Sequence, residues 1–201
     1  MAYVLNTKPF FERVFRPWAR VLAARGVTAN QVTVTSMVLS FAAGAAVLAR
    51  PEAGWPLLLI PGVLLVRLAF DHIDGLLARR HGMESPLGCI LNEHLNVVAD
   101  AVLYLPLAAV PGVSPWLVVA VVLTGVIGEM TGVVAVQIGA DRRIDGPVTK
   151  KTRAVVFGTL ALTLFLGAAP APWPDVVLAA MLPLSVLTII NRAYKALRQV
   201  S

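Results

Sequence analysis

Asp71 and Asp74 stand three residues apart, with Gly75 next and Ala78 and Arg79 close behind. On a helix, residues three or four apart share a face, so both carboxylates point the same way. A second polar row follows at Gly88, Asn92, Glu93, Asn96 and Asp100, in which Asn92, Asn96 and Asp100 recur every four residues. Carboxylate and amide oxygens converging from two such rows suit a hard divalent cation, Mg²⁺ or Mn²⁺, whose shell is completed by substrate phosphates and water. Gly75 leaves room for a ligand to approach the backbone. Arg79 offers a planar fork of donors to phosphate. A buried polar network that merely ties helices together is the competing reading. Two acids, a glycine and an arginine in this order favour the ligand site.

The elements that must hold these residues are apolar. Of 201 residues 58% are hydrophobic and 14% charged, with a mean hydropathy of +0.78. A soluble domain has about a quarter of its residues charged, so that class is excluded, as is disorder. Six segments are expected to span a bilayer: 32–49, 56–77, 87–110, 116–140, 154–168 and 176–193. Pro and Gly punctuate their ends, Pro170 among them, and Trp55, Trp116 and Trp173 mark segment starts as interfacial aromatics do. Ahead of them, residues 8–25 set Phe10, Phe11, Phe15 and Trp18 at helical spacing between arginines, the pattern of an amphipathic helix lying in the interface. The expected fold is therefore all-α and polytopic, six transmembrane helices over 32–193 behind an interfacial helix, forming one domain over 1–201.

The net charge of +6 is distributed by side. With an even number of spans, Lys8 and fourteen other Lys and Arg residues fall on the side of the termini, and only Arg50 on the other. That asymmetry puts both termini in the cytoplasm and leaves no basic stripe for nucleic acid. Cys89 is the single cysteine, so no intrachain disulfide forms, and it reads as a small core residue. The first long apolar run starts near Val32, too late for a cleavable leader. Gly125, Gly128 and Gly132 read as a close helix-packing seam.

The run from Asp71 resembles the signature of the CDP-alcohol phosphatidyltransferases, D-x2-D-G-x2-A-R-x8-G-x3-D-x3-D. It matches at Asp71, Asp74, Gly75, Ala78, Arg79 and Gly88, with the eight required residues before Gly88. The stretch Thr28 to Thr33 ahead of the first span is also similar to the family's pattern. It departs from the pattern at Asn92 and Asn96, which stand where the family has its third and fourth Asp. The resemblance implies a metal-dependent transferase of phospholipid biosynthesis in a bacterial inner membrane. Such an enzyme moves a phosphatidyl group from a CDP-alcohol, CDP-diacylglycerol first among them, to an acceptor alcohol and releases CMP. It implies metal ligands at Asp71, Asp74, Asn92 and Asn96, and a donor pocket at Gly75, Ala78, Arg79 and Gly88. A homodimer in the membrane lipid is the family expectation.

An Asn carries no charge and accepts no proton at working pH, so the general-base role is open. Asp100, one turn past Asn96, and Glu93 are the candidate replacements as ligand or base. For the basic residues Arg142, Lys150, Lys151 and Arg153 the resemblance implies contact with a phosphate on the acceptor; the alternative is that they enforce topology and meet anionic lipid. Two other functions stand beside the transferase. One is a family member that binds a CDP-lipid, or serves as a regulatory or partner subunit, without turnover. The other is a small transporter, disfavoured because no internal repeat is visible.

Overall fold

The computed structural model describes residues 8–168 and 171–201, with side chains from residue 11. Pro170 and the side chains of Lys8 and Phe10 lie outside the described residues. Seven α-helices are found there, and no strand: α1 (Lys8–Ala24), α2 (Ala29–Ala49), α3 (Leu59–Arg80), α4 (Pro86–Tyr104), α5 (Pro115–Gln137), α6 (Lys150–Phe165) and α7 (Trp173–Val200). Short 3₁₀ turns precede α3 and follow α4.

Each of the six apolar segments is helical, but four are long and apolar enough to cross a membrane: Ala29–Ala49, Trp55–Arg80, Pro115–Gln137 and Trp173–Val200. The other two fall short for different reasons. α6 has 16 residues, just below the roughly 17–25 of a spanning helix. α4 has 19, but carries the polar row from Asn92 to Asp100.

The chain divides into two compact units, residues 1–39 with 63–99, and residues 40–62 with 100–201. In the first unit, Ala19 of α1, Ala29 and Val32 of α2, and Ile73, Leu76 and Leu77 of α3 form a buried apolar cluster. Phe15 and Leu22 pack on it, while Val14, Trp18 and Val21 of the same helix stay uncovered. Local sequence sets the joints. Gly26, at φ +75°, ends α1, with Val27 N–H donating to Leu22 O and Gly26 N–H to Ala23 O, the glycine C-cap geometry. Thr28 and Gln31 then cap α2 reciprocally: Thr28 N–H donates to Gln31 Oε1 at 2.9 Å and Gln31 N–H to Thr28 Oγ1 at 3.2 Å. Gly82, at φ +66°, closes α3 the same way, and Ser85 caps α4 ahead of Pro86 by accepting from Gly88 N–H at 3.0 Å.

In the second unit Tyr104 stacks on Phe157 with ring centroids 4.2 Å apart. The glycine seam of α5 packs against α7 and α6, as a close helix-packing seam should. A Cβ at Gly125 would stand 3.1 Å from Arg153 Cδ, one at Gly128 3.7 Å from Ile189, and one at Gly132 would overlap the Arg143 carbonyl oxygen. The missing side chains make room for an arginine of α6, a side chain of α7 and a loop backbone.

Candidate functional site

The first unit holds a cavity of about 570 Å³ formed by α2, the last two turns of α3 and the start of α4. Of the residues singled out by spacing, it brings together Asp74, Gly75, Ala78, Arg79, Gly88 and Asn92. Asp74 is buried. Its Oδ2 accepts the hydroxyl hydrogen of Thr33 at 2.9 Å, and that hydroxyl also lies 3.1 Å from Ala29 O. Thr33 and Asn30, both lining the cavity, are site residues that the motif did not assign. The only signal for them was their place in the Thr28–Thr33 stretch.

Two signature glycines have structural causes. A Cβ at Gly75 would stand 3.1 Å from both terminal nitrogens of Arg79, so the guanidinium lies over the bare backbone one turn before its own Cα. A Cβ at Gly88 would stand 2.7 Å from Asn30 Oδ1, so this glycine admits the start of α4 beside α2. Cys89, read above as a core residue, is exposed and lines the cavity. It sits in the first turn of α4, whose cavity-facing side is set by the Ser85 cap rather than by apolar burial.

Asp71 lies half-buried one turn before Asp74, and Asn96 one turn after Asn92. Asn96 Nδ2 donates to the backbone oxygen of Asn92 at 2.8 Å and to its Oδ1 at 2.9 Å. One lone pair of the Asn92 amide oxygen is thereby engaged. Arg67 is buried and its Nη2 donates to Asn96 O at 3.4 Å, linking α3 to α4. His72 rests against the rings of Phe11 and Phe15, with its Nδ1 2.7 Å from Leu68 O, and so packs beside the site. Glu93 is half-buried on α4.

The donor set fits a hard divalent cation. Asp74 and Asn92 line the cavity and carry oxygen donors of the hard type such a cation takes, while Asp71, one turn earlier, is not among the lining residues. Among the described residues no group of three or more His, Cys, Asp or Glu stands ready to hold a metal. Two carboxylates balance one divalent charge, and a second ion would depend on substrate phosphates.

The remaining expected residues lie in the second unit. Asp100 is buried, and Arg153 Nη2 donates to its Oδ2 at 3.4 Å and to Glu129 Oε1 at 3.2 Å. Arg192, almost fully buried, places Nη1 3.5 Å from the same Glu129 oxygen and donates to Gly128 O. Arg142 approaches Glu129 at 3.8 Å. Glu129 thus joins α5 to α6, α7 and the loop before α6. Asp100, expected as a stand-in for a missing signature carboxylate, has Arg153 as its partner. Lys150 and Lys151 occupy the first turn of α6, behind a Thr149 cap whose hydroxyl accepts from Thr152 N–H at 3.3 Å.

In the loop ahead of α6, Asp145 accepts from Arg143 and from Lys195. Burial alone would push its carboxyl up. The Lys195 hydrogen bond, a backbone hydrogen bond and the charges of Arg143 and Lys195 outweigh that and hold it below the ordinary 3.8.

The profile of the family described as CDP-alcohol phosphatidyltransferase matches residues 26–190. The inner membrane protein YnbA of Escherichia coli is 33% identical over 192 residues, 94% of each chain. The phosphatidylinositol phosphate synthase of Mycobacteroides abscessus is 26% identical over 197 residues, covering 95% of this chain and 86% of that one. Among solved structures, phosphatidylinositol phosphate synthase of Mycobacterium tuberculosis with CDP-DAG bound superposes with a TM-score of 0.78 at 20% identity, over 92% of this chain and 94% of that one. The same protein in complex with manganese and citrate gives 0.74, also at 20% identity, over 90% and 88%. At that identity the likeness concerns the fold. A profile running from before α2 to within α7, and a relative matched over nearly its whole length, give one answer: the chain belongs to the CDP-alcohol phosphatidyltransferase family.

Proposed function

We propose that this integral membrane protein transfers a phosphatidyl group from a CDP-alcohol, CDP-diacylglycerol by preference, to an acceptor alcohol and releases CMP. The observation that carries the reading is the cavity in which Asp74, Gly75, Ala78, Arg79 and Gly88 converge. In the transfer, the bond between the β-phosphorus and the CMP oxygen breaks, and a bond from that phosphorus to the acceptor oxygen forms. The acceptor's proton passes to a base.

The residues divide the work. Asp71 and Asp74, with Asn92, hold the divalent cation, which when bound neutralises charge on the phosphates. Thr33 fixes the rotamer of Asp74. Arg79, laid over Gly75, receives a phosphate of the donor. Glu93 of α4 takes the acceptor proton, and Asp100 is paired with Arg153. Lys150 and Lys151 meet a phosphate on the acceptor, as the synthase relatives suggest. We read the chain as one functional domain of six spans with α1 in the interface and both termini in the cytoplasm. The lysine and arginine asymmetry and the uncovered Val14, Trp18 and Val21 support this.

A second reading rests on Asn92 and Asn96. Their mutual hydrogen bond stands where two more carboxylates would add negative charge, so the chain binds a CDP-lipid and turns it over poorly or not at all. Mg²⁺- or Mn²⁺-dependent CMP release from CDP-diacylglycerol, with a mixed pool of acceptors and Asn96→Asp alongside, separates the two. Release by the unmodified protein supports the transferase. Release only by Asn96→Asp supports the second reading. Silence from both proteins overturns the first.

A further inference from the structure

The first unit has another cavity, of about 370 Å³, on a different side of the last turn of α3. Its walls are Arg16 and Arg20 of α1 and Arg80 and His81 at the end of α3, and its floor is Ala19 and Leu76, each 1% exposed. Three guanidinium groups and an imidazole thus converge over a dry apolar base.

That arrangement is costly as it stands. Arg16 and Arg20 are four apart on one helix, where like charges repel. Among the described residues neither has an ion-pair partner; the nearby carboxylate of Glu12 goes to Arg80 instead, at 2.8 Å. Side chains that repel each other around a concave space are stabilised by an anion placed between them. The low-dielectric floor strengthens that attraction relative to open water. Arginine forks match the oxygens of a phosphate, which they bind through paired charge-assisted hydrogen bonds.

The helix end itself does not attract an anion, because the C-terminus of α3 is the negative end of its dipole. Two of its terminal carbonyls are already taken, Leu77 O by His81 N–H and Ala78 O by Met83 N–H. Any affinity must come from the three arginine side chains and the His81 imidazole.

We propose that this cavity binds a phosphate group, as a second anion site separate from the CDP-alcohol cavity. The group is either free in solution or part of a lipid headgroup. The flank bearing Arg16 and Arg20 lies away from that of Val14, Trp18 and Val21, exposed apolar residues of α1. A water-borne phosphate therefore has direct access. The site is not isolated from the first: Arg79 lines one cavity and Arg80 the other, so an occupant bears on the turn that carries Arg79.

The test uses the full chain and two probes. In detergent, inorganic pyrophosphate is titrated at constant ionic strength with chloride as the balancing anion, and Tm is followed. In nanodiscs of zwitterionic lipid, the Tm is compared with and without phosphatidic acid. A saturable rise in Tm with pyrophosphate assigns a soluble phosphate, and a rise with phosphatidic acid alone assigns a headgroup. In either case the Arg16→Gln/Arg20→Gln variant, altered only at exposed side chains, requires roughly tenfold or more ligand for the same rise. Its response to CDP with Mn²⁺ is unchanged. No rise with either probe, or the same rise in the variant, overturns the proposal.

Discussion

Thr33→Val tests the internal logic of the cation site without touching a proposed ligand. The hydroxyl donates to Asp74 Oδ2 at 2.9 Å in a buried setting, and valine keeps the branched shape while deleting the donor. A hydrogen bond to a charged group contributes about 1.5–3 kcal/mol, and about 1.4 kcal/mol is a factor of ten. If the whole bond appeared in cation affinity, the loss would be roughly tenfold to 150-fold. The bond is present with and without the cation, so only its positioning effect appears. Groups that orient ligands cost about 10- to 100-fold when removed, and the lower part of that range, roughly tenfold to thirtyfold, is expected here. Titrating the purified protein with Mn²⁺ while following the free-ion EPR signal measures this with no need for turnover. Thr33→Ser, which keeps the hydroxyl, recovers most of the affinity. Thr33→Val binding Mn²⁺ within twofold of the unmodified chain, or Thr33→Ser as weak as Thr33→Val, refutes the reasoning.

Other perturbations test the second unit and the loop. Arg153→Met leaves Asp100 and Glu129 without their shared partner and costs about 3–5 kcal/mol, read as a large fall in Tm; adding Asp100→Asn recovers part of it, whereas Glu129 keeps Arg192. Gly132→Ala drives a Cβ into the Arg143 carbonyl oxygen and costs about 1–3 kcal/mol. Gly62→Ala, with nothing within 4 Å, leaves Tm unchanged or raises it. The Asp145 carboxyl is held below its ordinary range, so its stabilisation is present above the unfolded pKa and is lost as pH falls through the lower folded value. A Tm profile from neutral to strongly acidic pH falls less steeply at the acid end in Asp145→Asn than in the unmodified chain.

The part of the site that follows local rules was legible in the sequence. Asp74, Gly75, Ala78 and Arg79 share a helix end, and their joint facing of one cavity follows from helical period alone. The segment expected from residue 87 begins one residue from the start of α4 at Pro86. What was hidden depends on contacts distant in sequence. Thr33 and Asp74 are separated by 41 residues, and Arg153 and Asp100 by 53; no spacing rule links either pair. The glycines of α5 were legible as a packing seam, but not what fills each gap. Small residues at Gly125, Gly128 and Gly132 leave the same gap whether a helix, an arginine side chain or a loop carbonyl fills it. Cys89 was misread because composition predicts burial, whereas the cap geometry of α4 decides which side of the first turn meets the cavity. The span count differed where polar function intrudes on length and apolarity, in α4, and where the helix is simply short, in α6.

Cys89 also supplies the most direct test of the central claim. It is the single cysteine of the chain, is exposed and lines the cavity that holds Asp74 and Arg79. The measurement is the rate at which a small maleimide labels it, with and without CDP-diacylglycerol in the presence of Mn²⁺. Occupation of the cavity predicts a saturable slowing of labelling that Asp74→Asn weakens. Labelling at the same rate with and without a saturating CDP-alcohol contradicts the account.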